Sequence, residues 1–326
     1  MWCEQLIHNL TFFPEKIESC CSGFQGPIYV HNPSNDVKID WEDIKRQKME
    51  FVKRLENNDI PKGCVGCPYL KEGSVPEEED FRYKKIILNH YTHCNCRCVY
   101  CARLRYYTRD FTETPRKPDF YHILPILKQI YSLGEKEVNI ARMKVDFQGG
   151  DLSVLDEFED TLKFLLDNGC KDIEFTTNNL RYQPLIERCL AEKRGYMITS
   201  LDCGCRETYK KVKRVDKFDI FVENLSRYLA AIEEKFRILV PYIVVRNIND
   251  NLEEVEKYLN LINELGVKRI RFEIDYNDLL GYKGRFEVPK HYYDIFNLFE
   301  KFTEENKIMF LYQPYTKEIM DRGFCG

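Results

Sequence analysis

Three cysteines in the run His93-Cys94-Asn95-Cys96-Arg97-Cys98-Val99-Tyr100-Cys101 follow a C-x3-C-x2-C spacing. Thiolates this close can wrap an iron–sulfur cube and cannot all pair as disulfides. Three cysteines on a four-iron cube leave one iron without a protein ligand, and an open iron is where a small molecule can bind. Tyr100, just before the last cysteine, offers an aromatic face to an adenine-sized ring. The competing chemistry is a zinc knuckle with Cys96 as fourth thiolate, because zinc prefers closed tetrahedral sulfur sites. Two ligands one residue apart would strain that knuckle. A structural zinc also gives no reason for the Gly149-Gly150-Asp151 turn after the next strand.

Such residues need rigid strand ends to hold them. The cysteine run ends an apolar stretch, Lys85-Ile86-Ile87-Leu88, and beyond it short apolar runs alternate with longer helical patterns. That alternation predicts an α/β fold, a parallel sheet with crossover helices. Strands are expected over residues 84–91, 144–148, 172–177, 196–201, 237–245 and 269–276. Helices are expected over 155–168, 218–235 and 252–265, the last stopped by Gly266. A helix over 288–306 and an edge strand over 307–311 complete the pattern.

The cysteine spacing, the Gly-Gly-Asp turn and the six β/α units resemble the radical S-adenosylmethionine (radical SAM) superfamily. The resemblance implies a partial (β/α)6 TIM-like barrel with chemistry at the C-terminal strand ends. It implies a 4Fe–4S cluster on Cys94, Cys98 and Cys101, with S-adenosylmethionine as cofactor and Cys96 a bystander. Tyr100 would lie along the adenine, and Gly149, Gly150 and Asp151 would hold the cofactor's amino group. Asp stands here for the family's Glu, one methylene shorter, and a helix N-cap is an equally ordinary use of it. Asn178, Ser200 and Asp202 would line the nucleoside pocket, the last two near the ribose or substrate. Turns and caps also select such residues. Lys213, or failing that Arg214, would pair with the methionine carboxylate, leaving Lys210 and Lys211 on a solvated face. Arg246 and Asn247 would face the pocket, with Asn249 capping the next helix. Cys205 could donate hydrogen to a substrate radical, although Cys203 and Cys205 also read as small side chains flanking Gly204.

At 326 residues the chain can bury a large core, and its net charge of -4 gives no global positive field for nucleic acid. No apolar run is long enough to span a bilayer. The start, Met1-Trp2-Cys3-Glu4-Gln5, lacks a basic segment followed by an apolar core, so a reducing cytoplasmic setting is expected for the 14 cysteines.

The chain is expected to divide into a cysteine-rich module (1–80), a barrel core (81–285) and a C-terminal extension (286–326). In the first, Cys3, Cys20, Cys21 and Cys64-Val65-Gly66-Cys67-Pro68 can supply four ligands from five cysteines. Their layout is similar to the auxiliary-cluster modules called SPASM or twitch, which implies a second iron–sulfur cluster. Those modules usually follow the barrel, zinc suits four thiolates equally, and Cys325 can supply a missing ligand. The resemblance also implies an external electron donor such as flavodoxin or ferredoxin. A small metabolite or sugar intermediate is the expected substrate, with a ribosomal peptide as alternative. A non-catalytic iron–sulfur or zinc protein is the contrasting class.

Overall fold

Asn9–Phe13 carries no chemical motif, yet it lies directly beside the strand that leads into the cysteine loop. A computed structural model of the chain describes residues 1–13, 16–19, 28–30, 39–65, 67, 69–75, 82–89, 91, 93–101, 123–275 and 289–312. It divides into two units, residues 1–93 with 117–175, and residues 94–116 with 176–326.

The first unit holds strands β1 (Trp2–Cys3), β2 (Asn9–Phe13), β3 (Lys16–Glu18), β4 (Ile28–Val30), β5 (Leu70–Lys71), β6 (Lys85–Leu88), β7 (Lys144–Phe147) and β8 (Asp172–Thr176). Its helices are α1 (Glu4–His8), α2 (Trp41–Glu56), α3 (Ile123–Ser132) and α4 (Phe158–Asp167). β8, β7, β6 and β2 lie side by side in parallel, and β3 and β4 continue the sheet antiparallel. Because side chains alternate along a strand, Ile86, Leu88, Val145, Phe147, Ile173 and Phe175 share one buried face. The cross-strand neighbours Thr11, Ile87, Asp146 and Glu174 share the other.

The expected boundary near residue 80 therefore does not isolate a separate module, since β2 to β4 extend the sheet of β6. Among the described residues β1, paired with β5, stands apart as a two-stranded piece. Packing ties α2 to the rest. Asp40 caps it by accepting from the Asp43 amide, and Ile44, Val52 and Leu55 recur at helical spacing as its buried stripe. Lys48 lies in that stripe, its ammonium donating to the Ile7 carbonyl and sitting 4.3 Å from the Tyr83 ring centroid.

Asp146 is fully buried, 3.2 Å from the Lys85 ammonium and 2.7 Å from the Gln148 amide. Burial, with the neighbouring Glu174 charge, pushes its carboxyl up to about 6. An unfolded aspartate titrates near about 4, so between these values the folded chain binds more protons than the unfolded one and loses stability as pH rises. Asp146→Asn, which cannot ionise, is expected to remove that slope. Its gain over wild type should be on the order of 2–3 kcal/mol at pH above about 7 and vanish near pH 4, read as thermal midpoints across pH.

The second unit holds β9 (Gly195–Ile198), β10 (Ile238–Val244), β11 (Arg269–Ile274) and β12 (Met309–Tyr312), all parallel neighbours in that order. Its helices are α5 (Pro184–Ala191), α6 (Arg206–Lys213), α7 (Phe218–Ala231), α8 (Leu252–Glu264) and α9 (Lys290–Glu305). β10 is a nearly continuous apolar run, as a strand covered on both faces requires. Tyr242, Tyr258 and Phe299 join β10, α8 and α9 in one aromatic cluster, with centroids 4.7 to 5.9 Å apart. Gly204 approaches α8 so closely that a Cβ there would lie 2.2 Å from the Tyr258 nitrogen.

All six expected core strands are present, each ending one to three residues earlier than expected at its C-terminal end. Each unit has an open sheet of largely parallel strands, as expected of an α/β partial barrel. The 155–168 helix starts later, at Phe158, because the chain first makes a 3₁₀ turn over Leu152–Val154. Among the described residues no helix is long and apolar enough to cross a membrane.

Candidate functional site

The cysteine loop opens the second unit. Its backbone is held by α6: the Arg97 amide donates to the Lys213 carbonyl at 3.1 Å and the Val99 amide to the Val212 carbonyl at 2.9 Å. The Cys101 amide closes a turn onto the Cys98 carbonyl at 3.0 Å. Cys94 is exposed and Cys98 and Cys101 are half-buried, none of them in a disulfide. The Cys94 sulfur accepts from the Cys96 amide and from the Asn178 side-chain amide, each at 3.4 Å. Asn178 also donates to the Asn95 side-chain oxygen and accepts from the Leu180 amide. The expected pocket residue Asn178 therefore does meet the loop.

Cys96, a bystander by sequence, is buried inside the loop. Hydrogen bonds to Cys94 and Cys98, then burial, push its thiol up. The hydrogen bond from Cys96, with the Lys213 charge, pulls the Cys98 thiol down against the effect of burial.

Behind the loop, Asp202, Lys213 and Tyr100 converge. The Lys213 ammonium is 2.5 Å from Asp202 Oδ2, and their side chains are 3% and 0% exposed. The Tyr100 hydroxyl donates to the same Oδ2 at 2.6 Å and lies 2.6 Å from the Lys213 nitrogen. Asp202 Oδ1 accepts from the Ile243 amide at 2.8 Å, and its carbonyl accepts from Asn249 at 2.8 Å. Asp202, expected near the ribose or substrate, is wholly buried against Lys213 and Tyr100, and Lys213, expected at the methionine carboxylate, is buried against Asp202. Desolvating a lone ammonium is costly, and the Asp202 charge offsets that cost and holds Lys213 charged. Tyr100 likewise gives its hydroxyl to this pair.

In the first unit, Gly149 packs against the Tyr91 ring so tightly that a Cβ would lie 2.4 Å from it. The Gly150 amide donates to the Tyr91 carbonyl at 2.9 Å and the Asp151 amide to the His93 carbonyl at 2.6 Å. Asp151 is fully buried and caps the 3₁₀ turn, its Oδ1 accepting from the Ser153 amide at 2.9 Å and from the Ser153 hydroxyl.

Ser200 and Arg246 are half-buried just past the ends of β9 and β10, while Asn247 is exposed. Asn249 is not the expected cap. It is fully buried, accepting from the Val245 amide and donating to the Asp202 and Ile243 carbonyls. Asn251 caps α8 instead, accepting from the Glu254 amide. Glu254, which sequence reasoning missed, gathers the Gly204 amide, the Thr208 hydroxyl and the Cys205 thiol at 2.6, 2.9 and 3.5 Å. Cys205 therefore serves this hub at the start of α6, and Cys203 is wholly buried.

A family model described as the Radical SAM superfamily matches residues 88–262, more than half of the chain. The chain belongs to the radical SAM superfamily. Its members are enzymes that use a 4Fe–4S cluster and S-adenosylmethionine. Among curated proteins, a probable GTP 3′,8-cyclase of Saccharolobus islandicus is 31% identical over 130 residues, 39% of this chain and 39% of its own. A GTP 3′,8-cyclase of Clostridium botulinum is 24% identical over 183 residues, 55% of this chain and 52% of its own. The matches thus span about two fifths to half the length of these relatives. Among solved structures, Streptococcus suis SuiB bound to its precursor peptide SuiA superposes with a TM-score of 0.51 at 13% identity. That match covers 88% of this chain and 57% of SuiB, a likeness of fold.

The radical SAM cluster fits the loop. The three thiols Cys94, Cys98 and Cys101 stand on a turn whose backbone is fixed from behind by α6, and Cys96 is buried. Among the described residues no three His, Cys, Asp or Glu side chains form a ready single-ion site.

The N-terminal cysteines are brought together only in part. Cys3 pairs opposite Leu70 in the β1–β5 ladder. The Cys67 amide donates to the Cys64 carbonyl and the Leu70 amide to the Cys67 carbonyl, each at 3.1 Å. Cys3, Cys64 and Cys67 are half-buried, none of them in a disulfide. Cys20, Cys21 and Cys325 lie outside the described residues.

Proposed function

We propose that the chain cleaves S-adenosylmethionine reductively at a cluster held by Cys94, Cys98 and Cys101 and directs the resulting radical at a small-molecule substrate. What supports this most is the loop itself, a C-x3-C-x2-C run inside the matched radical SAM region, with its backbone fixed by α6. When bound, the cluster supplies one electron to the cofactor's sulfonium, giving methionine and a 5′-deoxyadenosyl radical that takes hydrogen from substrate. The chain's residues bind and orient. Carbonyls of the Gly149-Gly150 turn accept from the cofactor's amino group, and Asp151 fixes that turn. Asn178, Ser200 and Arg246 supply polar lining for nucleoside and substrate. Flavodoxin or ferredoxin supplies the electron. Cys3, Cys64 and Cys67, with Cys20 or Cys21, hold a second cluster.

The curated relatives act on a nucleotide by name, which favours the small-molecule reading. A peptide substrate is the second reading, favoured by the length of chain that superposes on a peptide-bound enzyme. The deciding experiment is release of 5′-deoxyadenosine by the anaerobically reconstituted, dithionite-reduced protein. No release above a protein-free blank would overturn the reading.

Asp151 allows a finer test. If its charge meets the cofactor's ammonium, both Asp151→Asn and Asp151→Ala should weaken S-adenosylmethionine binding roughly tenfold, the worth of a charge-assisted hydrogen bond. If it serves only as a cap, the Asn variant, which keeps an acceptor, should bind as wild type in equilibrium titrations.

A further inference from the structure

Lys213 sits in the last turn of α6, where sequence offers a solvated cation, yet its ammonium is among the least exposed charges described. Its helix face explains this: Tyr209 and Val212 are buried beside it, while Lys210 and Lys211 are exposed. Asp202 is equally constrained. Its φ of 61° lies in the left-handed region, which is strained for a non-glycine residue, and its carbonyl, Oδ1 and Oδ2 are all engaged. Such a backbone persists only where surrounding bonds over-determine it.

These constraints end at the cysteine loop. Tyr100 lies between Cys98 and Cys101, and its hydroxyl is the side-chain link from the loop to the Asp202–Lys213 pair. The main-chain bonds from Arg97 and Val99 to α6 flank Cys98 on either side. One rigid body thus holds the middle of the loop by two backbone bonds and one side chain. Building on the functional reading above, we propose that Tyr100, Asp202 and Lys213 form a positioning unit for the cluster, and that Lys213 provides a fixed buried positive charge behind it rather than a grip on the methionine carboxylate. Cluster potentials respond to nearby charge and to hydrogen bonds around the sulfurs. Removing Lys213 leaves Asp202 uncompensated beside the loop, so the cluster should become harder to reduce. Removing only the Tyr100 hydroxyl should loosen the loop's hold with little effect on the fold.

The test compares wild type with Tyr100→Phe, Lys213→Met and Lys213→Arg, each reconstituted anaerobically. Iron content, the electron paramagnetic resonance spectrum of the reduced cluster, its midpoint potential without S-adenosylmethionine and the cofactor's dissociation constant are measured. Lys213→Met is expected to shift the potential negative and alter the spectrum, and Lys213→Arg to restore both. Tyr100→Phe should keep its thermal midpoint and still change the spectrum. Wild-type spectra and potentials in both Tyr100→Phe and Lys213→Met would overturn the proposal. So would a Lys213→Met variant of unchanged potential that binds S-adenosylmethionine tenfold or more weakly, since that returns Lys213 to the carboxylate. Failure of the functional reading looks different, because wild type itself would then hold no cluster at this loop or release no 5′-deoxyadenosine.

Discussion

Alanine at Cys94, Cys98 and Cys101 together is expected to leave a folded chain that holds no cluster at the loop and releases no 5′-deoxyadenosine. The loss should be complete because the hard chemistry belongs to the bound cofactor, and without thiolates there is nothing to hold it. Folding should survive. Cys94 is exposed and the other two half-buried, so their removal creates no large cavity. The loop backbone is held by amides of Arg97 and Val99, which the substitutions leave in place. Thermal midpoints should therefore stay close to wild type, a change of about 1 kcal/mol or less. Cys96→Ser is the informative control. With an open three-thiolate site it should retain its cluster and its activity, whereas in a zinc knuckle it would lose the metal as surely as any other ligand variant. Equal release of 5′-deoxyadenosine by wild type and the triple variant would defeat the enzyme assignment.

The core strands and the cysteine loop were legible because their signals are local. Alternation at period two marks Ile86 and Leu88 on one strand and Ile270, Phe272 and Ile274 on another, and spacing alone marks Cys94, Cys98 and Cys101. The Asp202–Lys213 pair was not read, because its partners are strand tip and helix end and only the fold brings them together. A signal did exist: Lys213 stands four residues after Tyr209 and next to Val212, on the apolar face of α6, while Lys210 and Lys211 stand off it. The helix cap was misread by two residues, since Asn249 and Asn251 are both good caps and only the position of the first buried turn separates them. The strand Asn9–Phe13 alternates as well, but five residues fix no register, and the parallel partner at Lys85–Leu88 lies far along the chain.

The same triple variant isolates the second expected site, because it should keep only the metal bound by the N-terminal cysteines. It is expected to carry about four irons per chain with a broad brown absorbance, and Cys64→Ser with Cys67→Ser in addition should remove both. The argument starts from β1 and β5. Their pairing sets Cys3 across from Leu70, and two successive amide bonds lead from Leu70 back through Cys67 to Cys64, so the three thiols belong to one small element. In a reducing setting such thiols do not rest as disulfides, and ligation is the ordinary use of a C-x2-C turn. On the proposed reading one of Cys20 and Cys21 would complete the set, so either single serine variant should be tolerated and the double one should not. Stability provides an independent reading. This piece has few strand bonds of its own, and Leu6, Ile7, Val52 and Leu55, with Trp2, Cys3 and Leu70 against them, make up its core. Losing the metal should therefore lower the thermal midpoint, since binding free energy in a small thiolate site is folding free energy. A colourless triple variant with about one zinc per chain would replace the second cluster by a structural clip, and one without any metal would leave these cysteines as packing residues.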